Sequence, residues 1–227
     1  MIESAIPAVT PGPRNRSRII RIIIIGALGF ILLAVLGTGF FLWTRAPLNL
    51  GTPSAQASAQ LLKHWQAGEV VALVRHAERC DRSNNPCLGP TDGITRLGSE
   101  SSVIVGQGFI HMGMGQTDVF ASPMTRTTQT ARYMFGEEAI SQDWLASCGS
   151  ILSKNIVSNK VAHRNAVLVT HSGCIKAFEK QNGFRHAPAS KYNSSLFVTV
   201  DADGKLKVLG IMESGDWQSL EIKTAQK

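Results

Sequence analysis

Three short stretches deliver polar, reactive side chains directly after apolar runs. Val70-Val71-Ala72-Leu73-Val74 passes straight into Arg75-His76-Ala77-Glu78. Asp118-Val119-Phe120-Ala121 passes into Ser122-Pro123-Met124-Thr125-Arg126, and Ala166-Val167-Leu168-Val169-Thr170 into His171. Arginine supplies a permanent, planar cation that fits the oxygens of a phosphate. A neutral imidazole is a nitrogen nucleophile able to take up a phosphoryl group. Two guanidiniums, an imidazole and the free N–H groups of a helix start would together make a pocket for a phosphate dianion. Taken singly, each stretch could equally be a charged turn that solvates a strand end; the pocket requires all three at one edge.

The elements that would bring them there are legible in outline. Apolar, β-branched runs of this kind suit strands buried on both faces of a parallel sheet, and in open α/β sheets ligands bind at the carboxyl ends of the strands. A short helix over residues 59–66 leads into the first strand. Thr95 caps a helix running through Gly106 or further, and Gly108, Gly113 and Gly115 then mark a break. Ser122-Pro123 starts a helix with proline at its first position, extending over 124–135. Further helices are expected over 150–161, with Leu152, Ile156 and Val157 on one side, and over 175–181, stopped at Gly183. Residues 140–151 carry no clear pattern. Asp201-Ala202-Asp203-Gly204-Lys205 between two apolar runs, 195–200 and 206–211, is a hairpin signal. Strands alternating with helices and closed by a hairpin predict a layered α/β domain with a mixed sheet.

The chain has 227 residues and a formal charge of +7, enough for one filled domain plus an appendage. From Thr44 onward 19 Lys and Arg stand against 15 Asp and Glu. This mild excess suits an anionic substrate; no basic stripe interleaved with aromatics points to nucleic acid. Residues 22–43 contain no charge over 22 positions, the length needed to span a bilayer. Arg14, Arg16, Arg18 and Arg21 precede this run and only Arg45 follows closely, so the positive-inside rule puts the N-terminus in the cytoplasm and the remainder of the chain outside, on a single-pass anchor. A cleaved signal is the alternative, but the apolar run is long and the first small-x-small site, Ala55-Gln56-Ala57, lies well beyond it. The expected organisation is a basic tail over 1–18, an anchor over 19–43, a linker over 44–58 and the domain over 59–227. Cys80, Cys87, Cys148 and Cys174, exported past a membrane, suit disulfides, with three connectivities open. Pairing Cys80 with Cys87 would staple the loop beside the Arg-His pair and leave Cys148 with Cys174. No C-x2-C spacing speaks for zinc, and no metal site is expected.

The three motifs resemble those of the histidine phosphatase superfamily, in order: Val74-Arg75-His76-Ala77-Glu78, then Ser122 through Ala131, then Val169-Thr170-His171-Ser172-Gly173. More narrowly, Arg75 through Ser83 with Cys87, Gly93-Ile94-Thr95, Cys148-Gly149 and Thr170-His171 with Cys174 are similar to the periplasmic lipopolysaccharide core heptose(II)-phosphate phosphatases, which use cysteines at these positions. The resemblance implies a three-layer α/β/α sandwich with a mostly parallel, phosphoglycerate mutase-like sheet. It implies that His76 carries the phosphoryl group as phosphohistidine, that Arg75, Arg126 and His171 bind its oxygens, and that no metal or organic cofactor takes part. The expected substrate is a phosphate on a core heptose; phosphoproteins, small phosphate esters, or an inactive role binding anionic glycan or a partner protein are the alternatives. Many relatives carry a glutamate, as general acid, in the region that here reads Asp143 to Cys148, and this chain has none. Glu78 is the first substitute and Asp81 the second, although Glu78 could instead orient Arg75 or Arg79. His64, His111, His163 and His186 read as surface residues. Lys176, Lys180, Arg185 and Lys191 are a basic rim or a solvated helix face.

Overall fold

The computed structural model describes residues 13–43, 45–51, 55–149 and 151–217, which divide into two compact units at Thr44 and Arg45. The first contains helix α1, Pro13–Trp43. Its stretch Arg16–Phe40 has a mean hydropathy of 2.9 and buries none of its apolar surface, so by length and composition it is able to cross a membrane. The Thr38 hydroxyl, a polar group inside this run, is satisfied by donating to the Ala34 carbonyl at 2.8 Å, as hydroxyls in apolar helices do.

The second unit is built on six strands: β1 Val70–Arg75, β2 Thr117–Ala121, β3 Ile140–Ser141, β4 Asn165–Thr170, β5 Ser195–Val200 and β6 Leu206–Met212. Their order is β3-β2-β4-β1-β5-β6. β1, β4, β2 and β3 pair in parallel, and β5 is antiparallel to both β1 and β6. The sheet is therefore mostly parallel, with the expected hairpin at its edge. Helices α2 Ala55–Gln66, α3 Arg96–Met112, α4 Thr125–Phe135, α5 Ile151–Asn159 and α6 Ser172–Gln181 complete the unit. The period-two alternation of β1 sorts the core into two halves. Val70, Ala72 and Val74 pack with Trp65 of α2, Val105 and Phe109 of α3 and Met134 of α4. Val71 and Leu73 face Leu152 and Ile156 of α5 and Ile175 and Phe178 of α6. Three layers result, α/β/α.

Several boundaries differ from expectation for physical reasons. α3 does not break at Gly108 but runs to Met112, with Gly113 at its C-cap. A Cβ on Gly106 would lie 1.9 Å from the Met134 carbonyl oxygen, and one on Gly108 would lie 2.0 Å from the Trp217 ring. These glycines let α4 and a buried tryptophan approach the helix; they do not end it. α4 starts at Thr125 with Met124 as its N-cap, so Pro123 stands before the helix rather than in its first turn. α6 begins at Ser172, immediately after His171, and α2 begins at Ala55. Part of the expected linker is folded: Leu50 N–H donates to Ile211 O and Ile211 N–H to Leu48 O, each at 2.8 Å. This covers the exposed edge of β6 and buries Leu50. The patternless region 140–151 forms β3 and a 3-10 turn, Asp143–Leu145, that buries Leu145. Cys80 is bonded to Cys87 and Cys148 to Cys174, with Cα separations of 5.3 and 4.2 Å.

Gly106→Ala is expected to lower the melting temperature by several degrees. Overpacking against the Met134 backbone costs about 1–3 kcal/mol, more than the roughly 1 kcal/mol of helix propensity gained. An unchanged or higher melting temperature in a thermal scan would contradict the close approach of α3 and α4.

Candidate active site

The sheet order decides which residues meet. β4 lies between β1 and β2, so the carboxyl ends of all three are adjacent. Arg75 is in register with Thr170, and the His76 N–H donates to Thr170 O at 3.0 Å. On the other side, the Ser122 N–H donates to Val169 O at 3.0 Å. His76 and His171, 95 residues apart in sequence, have ring centroids 5.5 Å apart at an interplanar angle of 60°. The Ser122 hydroxyl lies 2.9 Å from His171 Nε2. Arg126 sits in the first turn of α4, and Thr130 one turn later joins the halves of the site. Its hydroxyl donates to the Arg126 carbonyl at 2.6 Å and accepts from the Ala77 N–H at 2.9 Å. The structure thus brings His76, His171, Arg75 and Arg126 to one edge of the sheet.

The chemistry of His76 is set by one bond. Its Nδ1 lies 2.8 Å from the Ala77 carbonyl; a carbonyl only accepts, so Nδ1 carries the proton and Nε2 has a free lone pair. Burial pushes His76 down to about 3; the Ala77 bond opposes the shift, and His171, Arg126 and Arg75 add to it. His171 is pushed down to about 4 by burial, then by Arg126 and Arg79. Both rings are neutral at pH 7. Arg75 and Arg126 are themselves lowered, chiefly by burial, yet remain cations. Arg75 Nε, Arg126 Nε and His171 Nδ1 are buried with no hydrogen-bond partner among the described residues. Such groups are costly to leave unmet, and the two guanidinium nitrogens could donate to a ligand rich in acceptor oxygens.

Sequence reasoning missed three contributors. Tyr192 lies under the Arg75 guanidinium at 3.8 Å and 5.8 Å from the His76 ring. The Ser190 carbonyl accepts from Arg75 Nη1 at 2.6 Å. The charge of Arg79 reaches Arg75, Arg126 and His171 alike. Tyr192 and Ser190 lie on the loop before β5, in a segment with no motif. Asn193, buried and at φ 57°, holds that loop: its N–H donates to Arg75 O and its amide to Ser101 Oγ.

Glu78, the first candidate for general acid, is held by hydrogen bonds to its own loop and to the start of α3. Burial would raise its carboxyl, but hydrogen bonds from Thr95, Asn85 and Ser83 outweigh this and hold it below the usual carboxylate value. Thr95 Oγ1 and Asn85 Nδ2 donate to the same oxygen at 2.7 and 2.9 Å. Thr95 is also the N-cap of α3, so Glu78 ties the loop to a helix start, where a negative charge is favoured. Asp81, the second candidate, is bound by Arg79 and likewise lowered. In the basic rim, Lys191 pairs with Glu213 at 2.7 Å and Lys176 donates to the Ala187 carbonyl. A cleft of about 620 Å³ lined by Glu69, Lys160 and Asp201 lies at the other end of β1 and takes no part in this constellation.

Because both site histidines are depressed, they are predicted to keep neutral-imidazole ring signals in NMR from pH 8 down to pH 5. The unfolded chain takes up their protons near pH 6.5, so their contribution to stability is whole above that pH and declines as pH falls from 6.5 toward 4. Ring titration near pH 6.5 in the folded protein would contradict the buried, cation-flanked site.

No family model matches the chain. Over 141 residues, 60% of this chain and 68% of the relative, it is 33% identical to the lipopolysaccharide core heptose(II)-phosphate phosphatase of Salmonella arizonae. Over the same shares it is 34% identical to the proteins of that name from Salmonella paratyphi B and Salmonella typhi. Among solved structures, the protein histidine phosphatase SixA complexed with tungstate aligns with a TM-score of 0.53 at 16% identity, over 65% of this chain and 98% of that one; this likeness is one of fold. The sequence relatives lead to one conclusion, which the shared fold accompanies: the chain belongs to the family of the lipopolysaccharide core heptose(II)-phosphate phosphatases.

Proposed function

We propose that the protein removes phosphate from a heptose of the lipopolysaccharide core through a phosphohistidine on His76, while anchored in the inner membrane by α1. The observation that carries the mechanism is the Nδ1–H bond of His76 to the Ala77 carbonyl: it leaves a buried, neutral Nε2 pointing its lone pair away from the backbone. Nε2 forms a bond to phosphorus as the P–O bond to the sugar breaks. Arg75, Arg126 and His171 hold the three remaining oxygens, whose charge a preorganised, poorly solvated set of donors stabilises. Their unpartnered buried nitrogens support this role. Hydrogen bonds hold the Glu78 and Asp81 carboxyls below the usual carboxylate range in the free protein; in this reading the departing sugar oxygen takes its proton from Glu78 or from solvent. Water then attacks the phosphohistidine and releases inorganic phosphate.

The substrate reading rests on the relatives' name. The location rests on α1, with four arginines before its apolar stretch and Arg45 alone close behind, and on disulfides in the unit that follows. In this reading residues 1–18 are a cytoplasmic tail, 19–43 the anchor and 44–58 a partly folded connector to the phosphatase domain over 59–227.

The test is phosphate release from purified phosphorylated lipopolysaccharide core by the full chain in detergent. The wild type is expected to release it, and His76→Ala to lose at least about a thousandfold in rate, the scale expected when a covalent nucleophile is removed. Arg126→Ala is expected to raise KM and lower kcat together. A wild-type protein that hydrolyses an aryl phosphate yet leaves the core heptose phosphate intact would overturn the substrate assignment.

A further inference from the structure

The phosphate pocket accounts for Arg75 and Arg126 but not for the cations beside it. Arg79 follows His76 by three residues on the loop closed by the Cys80–Cys87 bond. Its backbone is pinned by a bridge to Ile94, and the next N–H, that of Cys80, donates to Gly93 O at 3.1 Å. The side chain is largely withdrawn from solvent, 22% exposed, and its charge works against protonation of Arg75, Arg126 and His171. Arg82, one turn further, stands exposed and its charge also reaches Arg126. Guanidiniums gathered at one mouth repel each other. With Glu78 committed to Thr95 and Asn85, the carboxylates that answer them are Asp81 and Asp92.

What fills the Arg79 fork is informative. Asp81 takes it with both carboxylate oxygens, through Nε at 2.7 Å and through Nη2. That is the bidentate geometry in which arginine binds a substrate carboxylate or phosphate. Asp81 is an exposed residue two positions away, and ion pairs of that kind are weakly held.

We propose that Arg79 is the receptor for a second anionic group of the substrate, and that Asp81 occupies its fork as an internal stand-in which the substrate displaces. The preferred substrate class is then a phosphomonoester bearing another phosphate or carboxylate within about a sugar ring of the scissile group, with Arg82 adding long-range attraction. This rests on the reading of the pocket as a phosphomonoesterase site. It adds a subsite outside the Arg75, Arg126, His76 and His171 set.

Binding of hydrolysis-resistant probes to the full chain in nonionic detergent separates the possibilities without relying on turnover. Methylphosphonate fills the pocket alone; propane-1,3-bisphosphonate also offers a second anion. In calorimetry the wild type is expected to prefer the bisphosphonate by about tenfold, or about 1.4 kcal/mol, beyond the statistical factor for two equivalent ends. Arg79→Ala is expected to erase that preference and Arg79→Lys to keep part of it. Asp81→Asn, which frees the fork while keeping the side-chain size, is expected to increase it severalfold. The opposite directions are decisive, because both substitutions break the same ion pair. If the pair merely held the loop, both would shift the preference the same way, and that result would overturn the proposal, as would an equal preference in the wild type and Arg79→Ala. Failure of the wild type to bind methylphosphonate at all would instead defeat the reading of the pocket, and the subsite with it.

Discussion

A buried imidazole among arginines must stay neutral, and the account of this protein depends on that constraint. Charging His76 would put a cation next to Arg75 and Arg126 in a place poor in water, an arrangement that low dielectric makes expensive. The ring therefore keeps one proton, and the Ala77 carbonyl decides on which nitrogen it sits. Burial, usually a matter of stability, here leaves an imidazole in the form a nucleophile requires. It supplies a free lone pair at neutral pH and surrounds it with fixed cations that an incoming phosphate neutralises.

The fold earns that arrangement through connections that are mostly backbone. Parallel pairing of β1, β4 and β2 places three strand ends side by side, and α4 and α6 begin just beyond two of them. Thr130 ties Ala77 to the first turn of α4, so the backbone beside His76 and that of Arg126 are joined through one side chain. The loop before β5, held by Asn193, sets Arg75 from the far side through Ser190 and Tyr192. Around the mouth, Thr95 and Glu78 fasten the disulfide-closed loop to the start of α3. Rigid elements thus fix each group from two directions, which is what phosphoryl transfer by positioning and charge requires.

How much of this was written locally can be judged residue by residue. The strands were legible because runs such as Val70 to Val74 fit little else than a buried strand, and the reactive residues because each stands directly after such a run. Of the glycines of α3, Gly108 misled: it looks like a helix breaker along the chain, and only the contact with Trp217 reveals why it is there, as that with Met134 does for Gly106. The edge contribution of Leu48 and Leu50 was hidden in a Pro- and Gly-containing stretch whose order comes from β6. Glu78 looked like a proton donor by type and position. What no local pattern shows is that Thr95, 17 residues away, donates to its carboxylate. Tyr192 could not be found, since its relation to Arg75 exists only in three dimensions.

The claim at the centre is that the phosphoryl group rests on Nε2 of His76. The direct measurement is alkaline quenching of the full chain during turnover of an aryl phosphate, followed by mass spectrometry to locate the adduct and phosphorus–nitrogen correlation NMR to identify the ring nitrogen. The account predicts a transient adduct on His76, at Nε2. An adduct at Nδ1, an adduct on another residue, or steady turnover with none at all would contradict it.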